Sequence, residues 1–165
     1  MTTRRTTLAI DSVGGRPSFH QITQEVRDAV AASGIRDGIC VVSTHHTTCS
    51  VMTQEDSIDL TYAGLDYLQQ DLWDVLERMI PTIRAEGQYH HPGPLLTEFS
   101  AQHGESKPET LNTDAHLRSV FIGRSETIPV VDGQLDLGSF GHVYFIDFDH
   151  TRPRSREVSL TVMGD

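Results

Sequence analysis

The sequence predicts a single β-rich α+β domain, residues 1–165, built on two main helices, and three observations carry that expectation. A chain of 165 residues suits one hydrophobic core rather than two. Two segments repeat apolar residues at helical spacing. The C-terminal third is a succession of β-branched or alternating runs separated by turn residues, and no internal repeat or linker-like break divides the chain.

In chain order, Thr6–Ile10 reads as a short strand, followed by a turn through Gly14, Gly15 and Pro17. Phe19–Thr23 leads into the first helix. Thr23 is its expected N-cap, Glu25 suits the positive end of the helix dipole, and Gly34 fits the position just past its end. Val26, Ala29 and Val30 form its inward stripe. Ile39–Ser43, opened by Gly38, is a β-branched run suited to a buried strand. The second helix is expected to begin near Asp56. Leu65, Leu68, Leu72, Val75, Leu76 and Met79 fall on one face of a 3.6-residue period, and Pro81 closes it. Gly87 to Thr113 lacks periodicity and reads as a long loop, which in a compact domain points to function. Ser119–Ile122 and Ile128–Val131 read as strands, and Asp132-Gly133 as a type I′ turn before Gln134–Leu137. His142–Phe148 is apolar and aromatic, while Val158, Leu160 and Val162 alternate with polar neighbours as a half-buried strand.

Composition narrows the function classes. Hydrophobic residues make up 37% and charged residues 22%, which fits neither a disordered chain nor a membrane protein. The arginines near the N-terminus are not followed by an apolar stretch of the secretory type, so a cytoplasmic location is expected. A formal charge of −10 argues against nucleic-acid backbone binding. Cys40 and Cys49 lack CxxC spacing and charged neighbours, so they are expected to be small buried hydrophobes rather than a disulfide or nucleophiles. Nine histidines are the compositional anomaly.

Three places concentrate them. Thr44-His45-His46-Thr47-Thr48 follows a strand, Tyr89-His90-His91-Pro92 lies in the long loop, and His116 sits in Asn112–Ser119. Adjacent residues of an extended segment point to opposite faces, so one histidine of each neighbouring pair can face a given site. Three converging imidazoles would hold Zn²⁺ or a similar ion and leave a position open. Spacing alone leaves ordinary polar histidines as the alternative, because none forms a local motif such as HExxH. Arg118 and Ser119, beside His116, have the best claim on a bound anion. Arg152, Arg154 and Arg156 read better as salt-bridge partners.

His46-Thr47-Thr48-Cys49-Ser50-Val51, followed by Glu55 and Asp59, resembles the signature of the YjbQ-like family, described as secondary thiamine-phosphate synthases. Tyr89-x-His91, Ala115-His116-Leu117-Arg118-Ser119, Gly123-x-Ser125, Gly133-x-Leu135-x-Leu137-Gly138 and Arg152-Pro153-Arg154-x-Arg156 extend the resemblance, in order, over nearly the whole chain. The resemblance implies a small α+β subunit, usually a homotrimer, with a divalent metal held by His46, His91 and His116. Zinc is the first expectation, with magnesium an option for a phosphorylated substrate. It places Glu55 at the family's acidic position, as the carboxylate near a metal-bound water. It implies metal-assisted transfer with a pyrophosphate leaving group, with Arg118, Ser119 and Ser139 holding the remaining anion. The alternatives are a metal-dependent hydrolase of a small phosphorylated substrate and a non-catalytic metal- or ligand-binding trimer. The chain departs from the family pattern at Gln54, where Asn is usual. It departs again at Ser139-Phe140-Gly141, where Thr-Trp-Gln is usual, and over Leu95–Leu111, which is longer.

Overall fold

In the computed structural model, which describes residues 1–165, eight strands and four α-helices follow one another in a single α+β domain. The strands are β1 (Thr2–Asp11), β2 (Ser18–Gln21), β3 (Gly38–Ser43), β4 (Cys49–Glu55), β5 (Ser125–Val131), β6 (Gln134–Leu135), β7 (Gly141–Asp147) and β8 (Ser155–Gly164). The helices are α1 (Thr23–Ser33), α2 (Tyr67–Met79), α3 (Pro94–Gln102) and α4 (Thr113–Ile122), with a 3₁₀ turn at Lys107–Thr110. One antiparallel sheet has the order β1-β8-β3-β5-β6, and a second has the order β2-β7-β4. No helix is long and apolar enough to cross a membrane.

The three-stranded sheet is covered on both faces, which is why the His142–Phe148 run carries almost no polar positions. Val143 and Phe145 of β7 point into a core shared with Val26 and Val30 of α1, Val42 of β3 and Leu160 of β8. Tyr144 and Ile146 point the other way, against Leu76 of α2 and Ala115 of α4. The period of two along a strand thus feeds two cores from one segment.

Local chemistry explains the element ends. Gly34 adopts φ 71° and stops α1 as expected. Asp132 (φ 51°) and Gly133 (φ 78°) both take positive φ, as a type I′ turn requires, and join β5 to β6. Thr23 is the first residue of α1 rather than its cap, because its hydroxyl accepts the Val143 N–H at 2.9 Å. The second helix starts at Tyr67, not near Asp56. Asp66 caps it by accepting the Leu68 N–H at 2.7 Å while also holding the Ser57 N–H.

Two expectations are corrected. Ser119–Ile122 is the last turn of α4, not a strand, despite Val120 and Ile122. Burial of Ala115, Arg118 and Ser119 on one helical face overrides the β preference of those two residues. Reciprocal bonds, Ser50 Oγ to the Ser119 carbonyl and Ser119 Oγ to the Cys49 carbonyl, fasten α4 to β4. Within the expected long loop lies α3, started by Pro94 in its first turn, so two shorter helices, α3 and α4, accompany α1 and α2. The sequence reading also did not assign β4, whose alternation Cys49-Ser50-Val51-Met52 is masked by burial on both sides.

Candidate functional site

The β3–β4 connection, the start of α4 and the β7–β8 connection meet around a pocket of about 330 Å³ with no hydrophobic residue in its wall. His45, His46, Thr47 and Thr48 come from the first of these, Asn112 and His116 from the second. Asp149 and Arg154 come from the third, Arg156 from the start of β8, and Glu105 reaches in from the segment after α3. The wall therefore combines two arginines and three histidines with two carboxylates, Glu105 and Asp149.

Behind the pocket lies a buried charge cluster. Arg156 donates from Nε to Asp147 Oδ2 at 2.7 Å and from Nη2 to Asp147 Oδ1 at 3.2 Å. The same Nη2 donates to Thr48 Oγ1 at 3.1 Å and lies 3.6 Å from Asp149 Oδ2. Burial alone would raise Asp147, but the Arg156 hydrogen bonds and charge, with the Asp149 N–H, hold its carboxyl below its ordinary value. Arg154 is less committed. Its Nε lies 3.4 Å from Asp149 Oδ2, and that buried nitrogen makes no hydrogen bond.

Thr113 spends its hydroxyl hydrogen on the His91 carbonyl at 2.6 Å, so it can only accept from His91 Nδ1, 3.0 Å away. His91 is therefore protonated on Nδ1, and its Nε2 keeps a lone pair. Its ring stands edge-on to that of His116, with centroids 5.3 Å apart. Burial lowers the pKa of His91, and the nearby His116 lowers it further. Burial also lowers His116, against the Thr47 backbone, Asp149 and Asp114. His46 is lowered by burial and by Arg156. All three favour the neutral imidazole, the form that ligates metals.

Donor chemistry and placement diverge in testing those residues against a divalent ion. His91 and His116 fit as a ligand pair, and Thr113 supplies the outer hydrogen bond that orients His91. His46 does not fit as placed. Its Nε2 accepts the Glu157 N–H at 3.1 Å, which leaves Nδ1 carrying the proton and neither nitrogen free. No three His, Cys, Asp or Glu side chains stand as a group able to hold an ion.

The other expected site residues are placed apart from the pocket. Arg118 is fully buried. Its guanidinium donates to Glu77 at 2.7 Å and to the Ile80 carbonyl at 2.6 Å, and lies 4.7 Å over the Trp73 ring. A group so enclosed touches no substrate, so the expectation for Arg118 is corrected. Ser119 is likewise buried, with its hydroxyl on Cys49. Glu55 ends β4 opposite Gly141, whereas Cys49 at the start of that strand pairs with Asp147. Six residues of extended chain separate the two by roughly 20 Å. Glu55 lines another pocket with Glu126 and Asp136, and Ser139 is exposed in the turn before Gly141, at that same end. Arg152, Arg154 and Arg156 make the salt bridges expected of them, and Arg154 and Arg156 line the pocket as well.

Cys49 is buried, and burial pushes its thiol far up. Cys40 is raised to about 11 by the same cause, so neither cysteine is a nucleophile near neutral pH.

A second pocket, about 690 Å³, shares no lining residue with the first but draws on its neighbours in sequence. Tyr89, His90 and Pro92 flank His91, while Leu111 precedes Asn112; with Pro94 they give this pocket the apolar surface that the first one lacks.

Residues 7–165 match the family model described as UPF0047 protein YjbQ-like. A UPF0047 protein of Methanothermobacter thermautotrophicus is 29% identical over 149 residues, covering 90% of this chain and 85% of the relative. One from Synechocystis is 31% identical over 150 residues, covering 90% and 84%. An uncharacterised conserved protein of the YjbQ/UPF0047 family from Clostridium acetobutylicum superposes with a TM-score of 0.72 at 26% identity, covering 96% of this chain and 99% of that one. A hypothetical protein from Aeropyrum pernix gives 0.71 at 25% identity, covering 100% of each.

Proposed function

The chain belongs to the YjbQ-like UPF0047 family, and we propose that it binds a small phosphorylated substrate at the His46–His116–Arg154 pocket and acts on it as a metal-assisted transferase. The observation that carries this reading is the wall of that pocket, which is wholly polar and holds Arg154 and Arg156 beside neutral imidazoles. Arg154, whose side chain is 24% exposed, offers its guanidinium to the phosphate, and Arg156, fixed by Asp147, adds a charge that cannot move away. The hydroxyls of Thr47 and Thr48 complete the cradle. The adjoining pocket at Tyr89 and Leu111 receives the ring system of the substrate.

In thiamine-phosphate formation, the activity the resemblance implies, the thiazole nitrogen attacks the pyrimidine methylene. A C–N bond forms, a C–O bond breaks, and pyrophosphate leaves with the bonding pair. The positive side chains here hold the departing oxygens. A divalent ion, zinc in the first instance, would bind His91 and His116, with His46 joining once it releases the Glu157 N–H, and would supply further positive charge against the leaving group. Pyrophosphate release from the pyrimidine diphosphate and thiazole phosphate, with and without added metal, tests the reading. Inorganic phosphate without thiamine phosphate would instead support hydrolysis, which the water-accessible polar wall also favours. No release under any condition, with metal bound, would leave a non-catalytic ligand-binding protein.

The cytoplasm is the proposed location, and a homotrimer the proposed assembly. Ile58 is 98% exposed, Val120 79% and Phe121 60%, and Leu68, Val75 and Met79 of α2 turn part of its apolar stripe outward. Such a surface calls for covering by other copies. Light scattering at micromolar concentration should give three times 18.4 kDa; a monomer mass would refute the assembly.

A further inference from the structure

One carboxylate in the pocket wall has no part in the proposed chemistry. Glu105 follows α3 and precedes the Lys107–Thr110 turn. Its Oε1 accepts from Arg152 Nη2 at 2.7 Å and lies 3.7 Å from Arg154 Nη2. A second carboxylate, besides Asp149, thus stands in the pocket wall, against Nη2 of Arg154.

Its neighbour Glu109 differs in a useful way. Glu109 also pairs with Arg152, but the Ser106 hydroxyl and backbone N–H hold its other oxygen at 2.7 Å. Those bonds and Arg152 keep its carboxyl well below its ordinary range. Glu109 does not line the pocket. It anchors the segment to the β7–β8 connection, leaving Glu105 as the member that faces Arg154.

Resting on the phosphate-binding reading, we propose that Glu105 is a built-in competitor for the substrate oxyanion. In the free chain its carboxylate satisfies Arg154, and an incoming phosphate displaces it. The segment from α3 through the Lys107–Thr110 turn also walls the larger pocket, through Ala101, Lys107 and Thr110. Ligands carrying only a weak anion fail to displace the carboxylate, which makes Glu105 a filter on substrate charge.

Titration calorimetry with inorganic phosphate on the full chain tests this. Glu105→Gln removes a partly exposed ionic contact and should tighten phosphate by about threefold to fivefold. Glu109→Gln should leave the affinity unchanged, and Arg154→Ala combined with Glu105→Gln should abolish the gain. Equal affinity in wild type and Glu105→Gln overturns the proposal alone. So does an equal gain in both Glu variants, which would mark a general effect of net charge. Absence of phosphate binding in every protein, Glu105→Gln included, overturns the anion-site reading and this proposal with it.

Discussion

Replacing Arg156 by methionine should destabilise the domain by about 3–5 kcal/mol, the range for breaking a buried ion pair from one side. Arg156 is 6% exposed, and its partners Asp147 and Asp149 are 0% and 1% exposed. Without the guanidinium, Asp147 keeps the Asp149 N–H at 3.0 Å but loses both charge-assisted bonds. Asp149 retains Thr151 and the more distant Arg154. Two buried carboxylates then share too little positive charge, and urea unfolding should show the loss directly. The acid limb gives a second reading. Asp147 is held below its ordinary 3.8, so its contribution is present above that value and is lost as pH falls through the lower folded one. The variant should lack that acid dependence. Adding Asp147→Leu should restore much of the stability, because removing both charges avoids the orphan. A loss below about 1 kcal/mol would mean that water reaches the cluster and screens it.

His116→Ala should lower turnover of the phosphorylated substrate at least about 100-fold and strip bound metal from purified protein. The reason is placement. His116 lies in the first part of α4, where it lines the anion pocket and faces the His91 ring at 5.3 Å. It thus serves both the phosphate and the metal proposals, and, unlike His46, has no ring nitrogen held by the Glu157 N–H. His103→Ala, an exposed position at the end of α3, is the matched control and should match wild type in both assays. Elemental analysis and steady-state rates decide the matter. Full metal content with more than a tenth of the turnover in a folded His116→Ala protein would end the metal-assisted account.

Much of this arrangement is legible in local chemistry. Gly34, the Asp132-Gly133 turn and the doubly buried β7 follow from φ requirements and from the period of two, which do not depend on distant residues. Placing His46 and His116 on one pocket was also legible, because motif order along the chain kept them together. The misses share one cause, which is tertiary context. Ser119–Ile122 looks extended until Arg118 finds Glu77 and the Ile80 carbonyl, 41 and 38 residues away, and fixes the helix. Arg118 looked available for an anion for the same reason, since a sequence does not display the partners that bury it. Glu55 sits nine residues beyond His46, yet an unforeseen strand carries it to the far end of the sheet.

The placement of β8 between β1 and β3 has a consequence for how the chain is made. Strand β8 is translated after the other seven, yet it is the only link between β1 and the rest of its sheet. While the ribosome is still upstream of residue 155, β1 has no strand to pair with, and β3 presents a bare edge. The arginines that line the anion pocket arrive in that same final stretch. Nascent chains that stop short of residue 155 therefore have neither a closed sheet nor a site, and the fold completes only when β8 has emerged.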